Sequence, residues 1–259
     1  KIEAEVIIQE IILRNGKIFS HEILKAFLFY ETRKHNKIIP CEKTPQDVFY
    51  IAEILELFPY AKIVNMVRDP RGVMLSQKRK WQRREMGAKF MTKKEQRRLK
   101  INYHPITISK LWNASIRSAL RFKNHLQVHH MIFEKMVNES ESEIKKLCRF
   151  LDIDFNPDML NIPHVGSSNE EDKPDNFGIK TERAGNWELG GLNNAEIYFC
   201  QNICGQYMQQ YGYEIKKIRP GLFSWLYYYI SFPVKIMLAI LFNLHRMKNI
   251  GEAIKRRLK

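Results

Sequence analysis

Cysteine is scarce in this chain of 259 residues, with four, at Cys41, Cys148, Cys200 and Cys204. They are too few and too scattered for a disulfide framework. Cys200 and Cys204 lie one helical turn apart, but no Cys/His pair elsewhere completes a zinc set. Buried free thiols, and with them a reducing compartment, are the expected reading. Acidic residues are also short, 28 against 43 Lys and Arg, which leaves a formal charge of +15. That excess favours an anionic partner: nucleic acid, a phosphorylated cofactor, an acidic polymer or the inner membrane surface. A Gly-Lys-Ser/Thr phosphate loop is missing, which argues against a nucleotide kinase. Repeats and low-complexity tracts are missing too. Residues 1–15 carry Glu3, Glu5, Glu10 and Arg14 among their apolar positions, so no signal peptide is expected there. The chain opens on Lys1 rather than methionine, and an upstream segment is expected.

What is present is mostly apolar periodicity. Ile7, Ile8, Ile11, Ile12 and Leu13 recur at helical spacing ahead of Gly16, and residues 21–30 form a second amphipathic pattern. In "KIIPCEKTP", Pro45 keeps Thr44 out of the helical region, giving extended chain and a turn before a helix over 46–58. "AKIVNMV" is nearly all apolar, as suits a buried strand of a parallel sheet. "LQVHHMIF" reads as a second strand, with His129 and His130 facing opposite ways as ordinary sheet residues. A polar connection runs through "KFMTKKEQRRLKINYHP". Helices are expected over 106–124, over "ESESEIKKLCRFLDI" with its acidic residues placed to suit the helix dipole, and over 193–211. Residues 165–180, rich in Ser, Asn, Asp, Gly and Pro, read as a loop. Strands alternating with helices define an α/β fold with a mostly parallel sheet. From the small number of strands, part of that sheet is expected upstream.

The chemistry concentrates in "KIVNMVRDPRGVMLSQKRKW". Asp69 is a good N-cap and Pro70 suits the first helical position, so Arg68 closes a strand just ahead of a helix whose free N–H groups favour an anion. That edge of an open α/β sheet is where ligands bind. Ser76 follows eight residues on, about two turns, and Lys80 a further turn along the same face. A bidentate fork, a hydroxyl donor and a point charge form a set suited to a dianionic phosphate, each charged hydrogen bond contributing about 1.5–3 kcal/mol. The same run, with Lys78, Arg79, Arg83 and Arg84, also reads as an ordinary solvated face, and at this level both readings stand.

The longer stretch "FPYAKIVNMVRDPRGVMLSQKRK" resembles the 3′-phosphate-binding segment of sulfotransferases that use 3′-phosphoadenosine 5′-phosphosulfate, in the branch that includes bacterial sulfotransferases and the tyrosylprotein enzymes. Three further stretches resemble that family in order and spacing. "CEKTP" is similar to its Lys-x-Pro element, "MIFEKMVNESESEIKKLCRFLDIDFNPDML" to its Tyr-Glu strand-and-helix segment with Phe133 in the tyrosine's place, and "RAGNW" to its Arg-x-Gly-x-Trp loop. The resemblance implies a P-loop-NTPase-like parallel sheet flanked by helices, a domain over residues 1–218, and transfer of a sulfuryl group to a hydroxyl or amine. It implies that Lys43 is catalytic, reaching toward the transferring group. Arg68, Ser76 and Lys80 would hold the nucleotide 3′-phosphate, with Lys180, Arg183 and Gly185 in a loop closing over it, and no metal is required. The family's Gly-rich loop, Pro-x-Ser-Gly-Thr-Thr, occurs nowhere in the sequence. That loop, the first strand and the general base are expected upstream of Lys1. His21 and His104 carry no positional signal, and no base is assigned.

Residues 219–259 form a separate tail. "LFSWLYYYISFPVKIMLAILFNL" is long enough to span a membrane, but Lys235 near its middle would cost about 2.5–3.5 kcal/mol there. Its aromatics at one end, and the basic "HRMKNIGEAIKRRLK" after it, fit a segment lying in the interface of an anionic membrane. A true span and a helix packed on the domain are the alternatives. The expected location is cytoplasmic, peripheral on the inner membrane face, and the expected acceptor a carbohydrate or glycolipid, with a protein tyrosine as the alternative. A non-catalytic basic protein binding nucleic acid or membrane is the rival of another class. Nucleic-acid binding would call for exposed aromatics interleaved with basic residues, whereas the aromatics here mostly sit in apolar runs, so no nucleic-acid partner is expected.

Overall fold

The computed structural model describes residues 5, 9, 19–82, 91–167, 172–244, 251 and 254; of the expected helix over 7–13 all but Gln9 lies outside the described residues, as do Arg83 and Arg84. The chain divides into two compact units, Lys1–Ala61 and Lys62–Lys259.

In the first unit, helix α1 (Ser20–Lys34) runs a turn beyond its expected end. Its start is closed by Glu22, whose carboxylate accepts the Phe19 N–H. Thr44 is extended (φ −116°, ψ 116°), as the following proline dictates. The single helix expected over 46–58 is instead a 3₁₀ turn, Pro45–Phe49, and helix α2, Ile51–Leu57. The break falls at Tyr50, which leaves helical geometry (φ −123°, ψ 22°) and donates its N–H back to the Asp47 carbonyl at 2.8 Å.

The second unit opens with strand β1 (Ile63–Val67), followed by helices α3 (Pro70–Arg79), α4 (Lys93–Asn102) and α5 (Pro105–Leu120). Strand β2 (Val128–Ile132) pairs parallel to β1, Ile63 opposite Val128 and Val67 opposite Ile132. Helices α6 (Phe133–Asn138) and α7 (Ser140–Leu151) follow, and then the short strands β3 (Pro163–His164) and β4 (Lys173–Phe177). Helices α8 (Asn194–Gln210) and α9 (Leu222–Asn243) complete the described elements. A parallel pair with helices around it is the α/β arrangement that the alternating pattern implied. Val67 from the strand end, Met74 from α3, Trp112 and Ile116 from α5, and Cys200, Cys204 and Met208 from α8 form one buried core. Apolar α5 and α8 thus bury against the helix that follows β1, and this packing fixes where Arg68 emerges.

Three further expectations are corrected. The polar connection contains α4, which has little apolar pattern but is capped by Thr92, whose hydroxyl accepts the Glu95 N–H at 3.2 Å, and is sustained by the Glu95–Arg98 ion pair. The stretch read as a loop contains β4, antiparallel to β3. Asp172 accepts the Gly166 N–H at 2.6 Å between the two strands. Strand β1 is covered on one face only, with Val64 and Met66 exposed. His129 and His130 do face opposite ways: His129 stacks on Phe150 with centroids 5.1 Å apart, and Nδ1 of His130 lies 3.2 Å from the Asn65 amide. Cys148, Cys200 and Cys204 are buried free thiols, whereas Cys41 is exposed.

Candidate functional site

The turn between β1 and α3 is held by buried charge. The Asp69 carboxylate accepts the Arg71 N–H at 2.8 Å, capping α3, and also pairs with the Arg71 guanidinium at 2.7 Å. Arg71 is 3% exposed. Its Nη1 donates to Gln201 Oε1 at 2.9 Å and to the Glu214 carbonyl at 2.8 Å, and its guanidinium lies 3.9 Å from the centre of the Trp187 ring. The chain on either side of Arg68 is fixed as well. The Trp112 indole donates to the Arg68 carbonyl at 2.9 Å, and Glu134 accepts the Asp69 N–H at 3.0 Å. The Tyr213 hydroxyl donates to the other Glu134 oxygen at 2.7 Å. Burial pushes the Glu134 carboxyl above the ordinary carboxylate range, opposed by these two hydrogen bonds.

Within that frame the Arg68 guanidinium lies 4.3 Å from the centre of the Phe133 ring, and its Nη2 donates to the Arg183 carbonyl at 3.0 Å. Its Nε is buried without a hydrogen-bond partner among the described residues. Burial lowers the Arg68 pKa, with Glu134 and Asp69 opposing and Arg183 adding to the effect. The side chain lies back over the first turn of α3. A methyl group on Gly72 would stand 3.2 Å from Arg68 Nε and 3.7 Å from Cζ and Nη2. Gly72, Ser76 and Lys80 follow one another at four-residue steps, so Arg68 rests at the head of a helical face that carries Ser76 and then Lys80.

The other half of the basic run turns away. Lys78 pairs with Glu196, which is fully buried, at 2.7 Å and donates to the Gly191 carbonyl at 2.9 Å. Arg79 lies so close to Gly191 that a Cβ there would stand 2.5 Å from its Nη2, at a backbone angle (φ +93°) that already favours glycine. The solvated-face reading therefore fails for Lys78, which is bound into the fold.

The structure brings Arg68 together with Arg183, through the latter's carbonyl, and with the face of Ser76 and Lys80. Lys180 precedes the 3₁₀ turn Thr181–Arg183, whose Arg183 N–H returns to the Lys180 carbonyl at 3.2 Å. Gly185 opens the next turn, its carbonyl accepting the Glu188 N–H at 2.9 Å, with open space where a side chain would stand. Lys43 lies in the first unit, exposed, two residues ahead of the 3₁₀ turn. The sequence reading missed Gly72, Trp112 and the Glu134–Tyr213 bracket. Of these, only Gly72 left a signal, its place midway between Arg68 and Ser76. Among the described residues no group of three His, Cys, Asp or Glu could hold a metal.

A strand end, a capped helix and an arginine with an unfilled buried donor make up the candidate site of this α/β fold. Comparison with known proteins narrows the class. A model of the sulfotransferase family matches residues 15–157, more than half of the chain, and the chain belongs to that family. Two curated relatives, from Caenorhabditis briggsae and Caenorhabditis elegans and each named "Putative protein-tyrosine sulfotransferase", are 27% identical over 144 and 143 residues. Each alignment covers 54% of this chain, and 47% and 50% of the respective relative. The chain thus spans about half the length of the curated relatives it matches. A solved structure, the sulfotransferase domain from the curacin biosynthetic pathway, is 19% identical, with 75% of this chain and 69% of that chain covered and a TM-score of 0.46.

Proposed function

We propose that this chain belongs to an enzyme that moves a sulfuryl group from 3′-phosphoadenosine 5′-phosphosulfate to the hydroxyl of a protein tyrosine, and that the Arg68 face holds the donor's ribose 3′-phosphate. The observation that carries the reading is Arg68 laid over Gly72 at the strand end, in line with Ser76 and Lys80. A buried guanidinium with an unpartnered Nε is unfavourable until an acceptor arrives, so the donor set fits a phosphate. The turn formed by Lys180, Arg183 and Gly185 closes over the nucleotide, with the Arg183 carbonyl already bonded to Arg68. In the transfer, the bond from sulfur to the bridging oxygen breaks as the acceptor oxygen bonds to sulfur, adenosine 3′,5′-bisphosphate leaves, and the hydroxyl proton passes to a base not assigned among these residues. Positioning and electrostatics dominate, as in phosphoryl transfer. The resemblance of "CEKTP" to the family's Lys-x-Pro element is what gives the Lys43 ammonium the role of neutralising charge on the departing bridging oxygen. The names of the two nematode relatives support tyrosine over the carbohydrate or glycolipid acceptor.

Calorimetric titration with adenosine 3′,5′-bisphosphate tests the site. Arg68→Ala is expected to weaken binding at least about tenfold, or 1.4 kcal/mol, with an unchanged circular dichroism spectrum. Identical isotherms for the two proteins, or no binding by the wild type, would count against the nucleotide reading. Labelled donor offered with a tyrosine peptide and with a glycan separates the acceptors; label on the glycan alone reassigns the substrate.

A further inference from the structure

The nucleotide site makes no use of α9, the 22-residue helix Leu222–Asn243. Among the described residues it is long and apolar enough to cross a membrane. One side of it is built into its unit. Ile236, Ala239 and Asn243 are buried, the Asn243 side-chain Oδ1 accepts from Arg98 Nη1 at 2.6 Å, and its Nδ2 donates to Asn102 Oδ1 at 2.7 Å. Ser231 Oγ lies 3.3 Å from His104 Nε2, and Trp225 stacks on Phe199 at 6.3 Å between centroids. The opposite side carries Phe223, Tyr227, Ile230, Val234, Met237 and Leu241, all exposed, Phe223 at 86% and Ile230 at 61%. Their spacing of three or four residues lines them up on one face. The stripe extends roughly 30 Å along the axis at about 1.5 Å per residue. A contiguous apolar surface of that extent marks an interaction site.

Charge identifies what covers it. Lys217 and Arg219 precede the helix, Lys216 being paired with Glu188. Residues 245–259 carry six cations, Arg246, Lys248, Lys255, Arg256, Arg257 and Lys259, against the one acid Glu252. Cations thus stand before and after the stripe in a chain whose formal charge is +15. A second copy would set those cations against their own kind, which disfavours a homodimer through this face. An anionic bilayer complements both the stripe and its ends. The one charge within the helix, Lys235, is half-buried beside the inward His104 and lies off the stripe. Crossing the bilayer would strip Ser231 and Asn243 of the partners just named, whereas lying flat keeps them.

We infer that α9 docks this protein on an anionic membrane surface, lying in the bilayer plane with the Phe223-to-Leu241 stripe immersed, in a chain whose excess of cations favours anionic lipid. The test is co-sedimentation of the full chain with vesicles of phosphatidylcholine alone and of phosphatidylcholine with a third phosphatidylserine. Binding is expected to favour the anionic vesicles at least about tenfold and to fall as salt rises from about 0.1 to about 0.5 M. The double variant Ile230→Asp/Val234→Asp is expected to lose at least about tenfold in affinity with an unchanged circular dichroism spectrum. Phe223→Ser/Tyr227→Ser, at the helix start, serves as a second pair should the first disturb folding. Binding indifferent to lipid charge, wild-type binding by both variants, or no binding to either vesicle would overturn the proposal. So would a wild-type dimer that forms without lipid and is lost in the variants, which would assign the face to a second copy.

Discussion

The Arg68 turn and α9 offer recognition surfaces of opposite kinds. Around Arg68 almost every neighbouring group is committed: Asp69 to Arg71 and Glu134, Trp112 to the Arg68 carbonyl, Tyr213 to Glu134. Along α9 the inner side is committed, through Ser231, Asn243 and stacked aromatics, while the outer stripe from Phe223 to Leu241 is exposed among the described residues. The difference follows from what each surface is proposed to meet. A phosphate is recognised by directional hydrogen bonds, so its donor must be held within fractions of an ångström. A bilayer surface is met by area and charge, neither of which needs a fixed direction.

The comparison breaks if the turn tolerates change as the outer face of α9 should. Arg71→Met keeps much of the side chain's bulk while removing the partner of buried Asp69, and it leaves Gln201 and the Glu214 carbonyl without their donor. A loss of about 3–5 kcal/mol is expected in urea unfolding. A loss below about 1 kcal/mol, typical of an exposed pair, would show that the turn is not fixed by charge. The next effect sharpens the account of how α9 is held. His104 is buried against it, with ring centroids 5.7 Å from Tyr228 and 5.4 Å from Phe232. Burial, with Lys235 adding to it, pushes the His104 pKa from 6.5 down to about 4. The unfolded chain therefore takes up a proton below pH 6.5 that the folded chain refuses until about 4. This contribution to stability is complete above pH 6.5 and is lost as the pH falls through that window, by up to about 3 kcal/mol. His104→Gln should flatten the stability profile between those limits, and an unaltered profile would sever the link to His104.

The parts of the site governed by local rules were legible in the sequence. Asp69 caps, Pro70 starts the helix, Pro45 holds Thr44 extended, and the four-residue steps through Ser76 and Lys80 fix one face. What long-range packing decides was not. The Lys78 pairing spans 118 residues to Glu196, and Tyr213 reaches Glu134 across 79. Nothing in the periodicity of either segment announces such contacts. Helix α4 escaped because capping and an ion pair sustain it without an apolar stripe. The one-sided cover of β1 escaped because an apolar run reads the same whether one face or two are covered.

The finest test separates stability from aim at one position. Alanine in a helix is favoured over glycine by up to about 1 kcal/mol, so Gly72→Ala should leave the thermal midpoint equal or higher. Its methyl group would stand 3.2 Å from Arg68 Nε, closer than ordinary contact, and the guanidinium must yield by a few tenths of an ångström. The arginine stem is flexible enough for the fold to absorb that shift. Its stacking on Phe133 and its bond to the Arg183 carbonyl, however, are set at the present position. Affinity for adenosine 3′,5′-bisphosphate is expected to drop roughly three- to tenfold while stability holds, read by calorimetry and thermal unfolding on the same preparation. Unchanged affinity with lowered stability would mean that Gly72 serves the helix and not the arginine, and the turn would lose the directional constraint that sets it apart from α9.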